Sequence, residues 1–261
     1  LILDTGPLYA SLDRSDADHR AIRALIEAAS EPLVIPAPVL VEALLLRLGF
    51  WQLARGDEKQ VQTAALQAVL HDKRPLELGK AVTDAEGFTW VDGQVRFLPS
   101  PLLLLDNQRK GAAVGVNVYQ IGIAADGQAL LVDLGWLPVA GDRTLPAPEA
   151  LSGTYRLSGL LLPPPSMGFS MGSAITEQSD GSWLLMRLDR AALAEKLDRP
   201  LAARVLRPDP ALDIGFARNL DVQANTLPPE KHRAYALQWF GLAVAWLLLW
   251  LYVARRKKHE R

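Results

Sequence analysis

One uncharged stretch near the end of the chain constrains its fold more than any other feature. Residues 234–253 read AYALQWFGLAVAWLLLWLYV, and Gln238 is the only strongly polar side chain among them. At about 1.5 Å per residue, a helix of this length covers roughly 30 Å, the thickness of a bilayer core. Aromatic residues stand near both ends, as is typical of the two membrane interfaces. The stretch therefore predicts a clear C-terminal transmembrane helix.

A basic tail, residues 254–261, follows this helix directly. Its five basic residues are Arg255, Arg256, Lys257, Lys258 and Arg261. Basic residues beside a span favour the cytoplasm or matrix. One alternative is a buried core helix with a solvated tail, but such a helix usually keeps a polar stripe. A nucleic-acid patch is another, but the position of the tail directly after the span favours a role in membrane topology. A formal net charge of -1 provides no long-range field to hold a polyanion, so we expect no nucleic-acid partner.

If the C-terminus lies inside, the residues before 234 lie on the far side of the membrane and need an export signal. The best candidate is residues 33–53, LVIPAPVLVEALLLRLGFWQL. Pro36 and Pro38 interrupt its start, and Glu42 and Arg47 lie inside it. Each central charge opposes insertion by about 2.5–3.5 kcal/mol. This window is interpreted as a degenerate first transmembrane segment.

Between the two spans, residues 54–232 are predicted to form an exported, mainly-β domain. Short β-branched and aromatic runs alternate there with turn residues. The predicted strands are 88–98, 102–105, 114–123, 129–139, 154–162 and 183–188, with turn signals at Asp92-Gly93 and Asp126-Gly127. Such spacing is typical of a small antiparallel barrel or sandwich. Helices are predicted at 15–29, 55–71 and 191–197. The predicted class is thus a membrane protein with a mainly-β exported domain.

The residues offer little enzyme chemistry. The chain has no cysteine, which excludes disulfides, thiol catalysis and cysteine-ligated metal centres. It also lacks the common nucleotide, hydrolase and zinc-protease motifs, so no catalytic residue is predicted. His232 differs from the other histidines because it lies two residues before the apolar stretch, at the outer membrane boundary. A neutral imidazole there could ligate haem iron. The alternative is that residues 230–233 are interfacial anchors.

Four segments carry a resemblance to a known family. They are 48–59 (LGFWQLARGDEK), 97–119 (FLPSPLLLLDNQRKGAAVGVNVY), 131–138 (LVDLGWLP) and 228–240 (PPEKHRAYALQWF). Together they resemble the surfeit locus protein one family over roughly residues 48–253. The resemblance implies two spans around an exported domain and a non-enzymatic assembly factor for cytochrome c oxidase. The resemblance also implies that the protein aids haem a insertion or stabilises the large oxidase subunit. The location implied is the bacterial plasma membrane with a periplasmic main domain, or the mitochondrial inner membrane in a eukaryote.

The same resemblance places His232 at a turn of the family that is associated with haem a. In this hypothesis Trp239 and Tyr235 contact the apolar porphyrin, and Lys231 and Arg233 lie near its propionates. The partners expected are oxidase subunits and membrane lipid.

Residues 1–46 resemble a different family, because they are similar to the N-terminal segment of PIN-domain ribonucleases. Residues 1–14, LILDTGPLYASLDR, resemble the first strand and turn of that fold. Asp4 and Glu42 would be two of its carboxylate ligands for Mg²⁺ or Mn²⁺. The segment is interpreted as an α/β fragment and not a complete domain, from a processed, truncated or misjoined N-terminus. The alternative functions are a metal-dependent ribonuclease and a generic exported β domain on an anchor.

Two further features of the middle region are singled out. The polar run Asp106-Asn107-Gln108-Arg109 predicts a hairpin turn or a docking surface for an oxidase subunit. Gly135-Trp136 is expected to pack a strand end into the core.

Overall fold

The computed structural model describes residues 5–14, 16–29, 36–83, 87–99, 101–165, 175–221 and 227–259. The described helices are α1 (Thr5–Leu12), α2 (His19–Glu27), α3 (Ala37–Asp72), α4 (Leu78–Thr83), α5 (Arg190–Lys196) and α6 (Pro229–His259). The strands are β1 (Leu76–Glu77), β2 (Thr89–Phe97), β3 (Leu103–Lys110), β4 (Ala113–Ala124), β5 (Ala129–Pro138), β6 (Gly153–Leu162), β7 (Ile175–Glu177), β8 (Trp183–Leu185) and β9 (Leu201–Pro208). The chain divides into two compact units, Leu1–Thr63 with Thr226–Arg261, and Ala64–Asn225.

Two long helices are the main elements of the first unit. By length and composition, Ala37–Asp72 and Pro229–Arg256 are both able to cross a membrane. In each helix 11% of the most apolar window is buried, whereas the core helix of a soluble protein is mostly buried. The predicted C-terminal span lies inside α6, which continues through most of the basic tail.

The first span and the helix predicted after it are one continuous element, α3. The two prolines do not interrupt it, because they lie at its beginning. The Pro36 carbonyl accepts the first helical hydrogen bonds, from the amides of Val39 and Leu40. Pro38 lies in the first turn, where a missing N–H leaves no helical bond unmade. The helix therefore begins at Ala37, four residues after the predicted start of the span.

Small residues let α3 and α6 approach closely. Ala43, Ala236 and Ala243 are buried. An ideal Cβ on Gly49 would lie 2.5 Å from the ring of Phe240, closer than real contacts allow. Small residues of this kind are typical of helix contacts in membranes, where backbone proximity increases dispersion. The two helices run antiparallel, since Pro38 at the start of α3 contacts Trp246, whereas Gln52, further along α3, contacts His232 at the start of α6.

The described part of the N-terminal fragment is helical. Leu8 of α1 packs with Ala43 of α3 and with Ile26 of α2. Arg47 donates to the Leu12 carbonyl at 2.8 Å. The predicted helix at 15–29 is present as the shorter α2. The predicted strand at residues 1–3 lies outside the described residues.

The second unit contains one mixed sheet of nine strands in the order β1-β2-β6-β9-β5-β4-β3-β8-β7, and β2 also pairs with β4. The pairs β1–β2, β3–β8 and β5–β9 are parallel, so the prediction of a purely antiparallel sheet is wrong. Parallel neighbours need long connections, and turn signals along a sequence reveal only hairpin neighbours. One such hairpin is confirmed, since β4 and β5 are antiparallel and Gly127 between them has a φ of 87°.

Both faces of the central strands are covered. On β4, Val116 and Val118 belong to one apolar cluster, while Tyr119 and Ile121 belong to the other. Helix α4 contributes to the first cluster, and α5 contributes Leu193 to the second. The last turns of α3 add Leu66, which packs with Trp90. This two-sided cover explains why the strands read as continuous apolar runs.

Three local predictions differ from the structure. Asp92-Gly93 is not a turn but lies inside β2, where a Cβ on Gly93 would meet the Leu78 Cβ at 2.6 Å. The polar run 106–109 is not a hairpin turn, since it lies within β3 at an irregularity in its pairing with β4. Strand β9 was not predicted, because Ala202 and the buried Arg204 interrupt its apolar pattern.

Candidate functional site at the head of the helix pair

The first turns of α6 place His232 against α3. Its side chain is buried, and Nδ1 lies 2.7 Å from Oε1 of Gln52. Gly56, one turn further along α3, lies against the first turn of α6, with space for a Cβ in ordinary van der Waals contact. A Cβ there would lie 3.4 Å from the His232 Cβ and 3.5 Å from the Pro229 carbonyl oxygen. His232 is therefore held at a defined place on the helix pair.

The hydrogen bond also determines which ring nitrogen carries the proton. An amide oxygen only accepts, so Nδ1 must be the donor. In the neutral ring this leaves a lone pair on Nε2, which makes no hydrogen bond to the described residues. Nor is Nε2 among the enclosed unbonded side-chain atoms of the described part. A neutral imidazole with one bonded nitrogen and one open nitrogen is the donor that haem iron takes, so the site fits such a ligand.

The predicted neighbours of His232 have different surroundings. Arg233 is held by α3, since its Nη2 lies 2.5 Å from Oε1 of Gln60 and 3.4 Å from Oδ1 of Asp57. Lys231 is exposed. Tyr235 is also exposed, and Trp239 is partly buried. Trp239 follows His232 by seven residues, which places it two turns along the same side of α6.

The same side of α6 continues to a residue that the sequence reasoning did not single out. Trp246 is seven residues beyond Trp239, and its Nε1 donates to the Pro38 carbonyl at 3.1 Å. An apolar groove of about 280 Å³ lies beside it, lined by Leu45, Leu242, Ala245, Trp246 and Leu249. Gln52 was also missed, although a polar side chain at the end of an apolar stretch is a signal that could have indicated it.

The structure gives no support to the predicted nuclease site. Asp4 lies outside the described residues. Glu42 lies on α3, and its Oε2 is enclosed without a hydrogen bond to any described residue. Within the described ranges, no three histidine, aspartate or glutamate side chains group in a way that could hold a metal ion. The PIN-type ribonuclease stays a prediction, which RNA cleavage by the wild type and by Asp4→Ala would test.

The polar run of β3 makes hydrogen bonds within itself and accepts one from a neighbouring tryptophan. Oδ1 of Asp106 accepts from the Asn107 amide at 2.7 Å, and the Gln108 carbonyl accepts from Nε1 of Trp136 at 3.0 Å. Asn107 has a φ of 57°, which asparagine tolerates better than most residues. Trp136 is partly buried near the end of β5 and belongs to none of the apolar clusters of the described residues, so its expected packing into the core is not seen. The proposed docking role of this run stays a prediction.

A second polar cluster lies buried in the sheet and was not predicted. Oδ2 of Asp133 lies 3.0 Å from Nε of Arg207, and Oδ1 accepts from the Gly135 amide. Burial, with a further contribution from Asp133, raises the pKa of Tyr119. Arg218 donates to five backbone carbonyls between residues 208 and 216. Burial lowers the pKa of Arg218. These contacts stabilise a loop and do not form an open site.

Comparison with known proteins places the chain in a family. The SURF1 family model matches residues 39–244, which include Gln52, His232, nearly all of α3 and the first half of α6. The chain belongs to the SURF1 family. It is also similar to a SURF1-like protein of Rickettsia conorii, with 21% identity over 215 residues, or 82% of this chain and 88% of that protein. The resemblance drawn from the four sequence segments is confirmed.

The SURF1 family is known as a family of oxidase assembly factors, and the chain belongs to it. Together with the two candidate spans it supports a membrane location. The match begins at residue 39, so most of the segment that resembles a PIN domain precedes it.

Proposed function

We propose that this protein is a non-enzymatic assembly factor for cytochrome c oxidase in the bacterial inner membrane, or in the mitochondrial inner membrane of a eukaryote. Helices α3 and α6 cross the membrane, and the residues between them are exported. The observation that carries the proposal is the SURF1 family match, which runs from within the first candidate span into the second. The β2–β4 pairing supports a small closed barrel as the exported domain, because it joins β2, β6, β9, β5 and β4 in a circuit.

The cargo in this proposal is haem a, bound through Nε2 of His232. The support is the orientation of the ring, whose Nδ1 is already bonded to Gln52. Trp239 and Tyr235 offer aromatic surface to the porphyrin. Lys231 is the freer of the two predicted propionate partners, because Arg233 is held by Gln60. Haem a insertion and stabilisation of the large oxidase subunit are the two routes by which the protein would act.

A deletion strain tests the assembly role. Loss of the gene should lower cytochrome c oxidase activity and the haem a absorbance of washed membranes, and expression of the wild-type chain should restore both. Normal oxidase activity in the deletion strain would contradict the proposal. The membrane fraction should retain the protein after an alkaline carbonate wash.

The His232→Ala variant tests the cargo. Protein purified from cells that make haem a should carry pigment when wild type and much less when His232 is replaced. His71→Ala is a suitable control, because His71 is exposed at the end of α3. Equal pigment in wild type and His232→Ala would contradict haem a binding at this residue and leave subunit stabilisation as the remaining route.

A further inference from the structure

We infer that Gln52 is the positioning residue for His232, and that it selects the ring tautomer that presents Nε2 as an unprotonated donor. The identity of the ligand rests on the proposed function, but the tautomer does not. The hydrogen bond between Gln52 and His232 joins α3 to α6, and the two residues are 180 positions apart along the chain. It therefore exists only when α3 and α6 are packed.

The geometry of the contact supports a specific role. The 2.7 Å separation between Nδ1 and Oε1 is at the short end of the range for an N–H donor and an oxygen acceptor. His232 is 7% exposed and Gln52 is half-buried. Water therefore has little access to compete with the amide oxygen. A long glutamine side chain loses rotamer freedom when it is fixed in this way, and the hydrogen bond offsets that loss.

The surroundings show why the acceptor is Gln52 and not a neighbouring carboxylate. Gly56 lies four residues after Gln52, on the same face of α3, and faces His232 and the Pro229 carbonyl at the start of α6. Asp57 contacts Arg233, and Glu58 pairs with Arg55 along α3. In the described part of the chain, Gln52 is the acceptor that reaches the ring of His232. A neutral amide fixes the proton on Nδ1 without adding a charge at the membrane boundary.

The consequence for ligand binding follows from the two nitrogens of imidazole. Only a nitrogen without a proton can bind iron, and a hydrogen bond to the other nitrogen decides which one that is. Without an acceptor at Nδ1, part of the neutral His232 would carry its proton on Nε2 and would present N–H to the ligand. Removal of such a partner typically lowers metal affinity by about 10- to 100-fold.

Three variants test the inference in the full chain, purified in detergent. Gln52→Leu removes the acceptor and puts an apolar side chain of similar size in its place. Gln52→Glu restores an oxygen acceptor at the same place. Gln62→Leu is the matched control, because Gln62 is an exposed glutamine of the same helix that contacts Glu58.

The first readout needs no ligand. Histidine labelled with ¹⁵N gives separate NMR signals for protonated and unprotonated ring nitrogens, and His232→Ala identifies the signals of that ring. We expect a protonated Nδ1 and an unprotonated Nε2 in wild type, Gln52→Glu and Gln62→Leu. In Gln52→Leu we expect a mixture of both tautomers.

The second readout is titration with haem a, followed by its absorbance. The affinity should fall about tenfold or more in Gln52→Leu and should be retained in Gln52→Glu and Gln62→Leu. An unchanged tautomer and affinity in Gln52→Leu would overturn the inference, as would a protonated Nε2 in wild type. If wild type binds no haem a but has the expected tautomer, the proposed cargo fails and the positioning role of Gln52 stands.

Discussion

Two aspartate–arginine ion pairs each join neighbouring strands of the sheet. Their different exposure to solvent gives them different effects on the stability of the fold. Asp133 and Arg207 have side chains that are 3% and 12% exposed, at 3.0 Å. Asp92 and Arg156 form a pair of 2.7 Å, but their side chains are 28% and 77% exposed. Solvent screens the second pair much more than the first. Neither pair was predicted, because the partners lie 74 and 64 residues apart.

Replacement of each aspartate by alanine should separate the two cases. Asp133→Ala leaves a buried guanidinium without its partner, which typically costs about 3–5 kcal/mol. Asp92→Ala, the matched control, should cost less than about 1 kcal/mol. Guanidinium unfolding of the full chain in detergent, followed by tryptophan fluorescence, measures both. Equal losses would contradict this account of the buried pair.

The residue Asp209 predicts a dependence of stability on pH. Burial acts to raise the pKa of its carboxyl, but hydrogen bonds from the Ala211 amide and from Lys73 outweigh burial and lower that pKa. A carboxyl with a lowered folded pKa stabilises the fold above its unfolded value of about 3.9. This stabilisation is lost as the pH falls through the folded pKa.

Asp209→Asn should therefore lower the melting temperature at pH 7. The difference between wild type and Asp209→Asn should narrow as the pH is taken below about 4, because the wild-type carboxyl becomes protonated there. Thermal unfolding of both proteins across this pH range is the measurement. A difference that stays constant down to low pH would contradict the sign of the pKa shift.

Among the elements, the C-terminal apolar helix was the most predictable, and the sheet partners were the least. Twenty uncharged residues gave the C-terminal span directly, and an Asp-Gly pair gave the β4–β5 hairpin. Strand β9 was missed because Ala202 and the buried Arg204 interrupt its apolar pattern, and its partners β5 and β6 lie far away in the chain. Asp92-Gly93 was misread because its glycine is required by contact with Leu78 and not by a turn.

The packing of α3 against α6 should depend on Gly49. A larger side chain there would collide with the Phe240 ring, so Gly49→Leu should separate the two helices. Gly241→Leu is the matched control, because a Cβ on Gly241 meets nothing within 4 Å. The chain has no cysteine, so spin labels on Leu53→Cys and Leu237→Cys report the distance alone. We expect a longer, broader distance distribution for Gly49→Leu and no change for the control.

The same variants connect helix packing to the candidate site. If His232 is positioned by the approach of α6 to α3, Gly49→Leu should also weaken haem a binding, while Gly241→Leu should not. Unchanged distances in Gly49→Leu would contradict the close packing itself. The sequence could predict His232 from its place before a span, but it could not predict Gln52, which becomes relevant only when the two helices are packed.

For the whole molecule, the physical claim of the proposal is that both long helices cross the membrane and that residues 54–232 between the spans are exported. The sequence predicted this arrangement from one apolar stretch and its basic tail. The first span was harder to recognise, because its charges and prolines obscured a helix that the structure describes as continuous from Ala37. The family match over residues 39–244 and the two candidate spans support a membrane location.

Labelling of single cysteines in intact bacterial spheroplasts tests this claim most directly. One variant carries Glu149→Cys, at an exposed position between the two helices, and the other carries a cysteine appended after Arg261. A maleimide that cannot cross membranes should label Glu149→Cys in intact cells and should label the appended cysteine only after the membrane is permeabilised. Labelling of the appended cysteine in intact cells, with Glu149→Cys protected, would contradict the account.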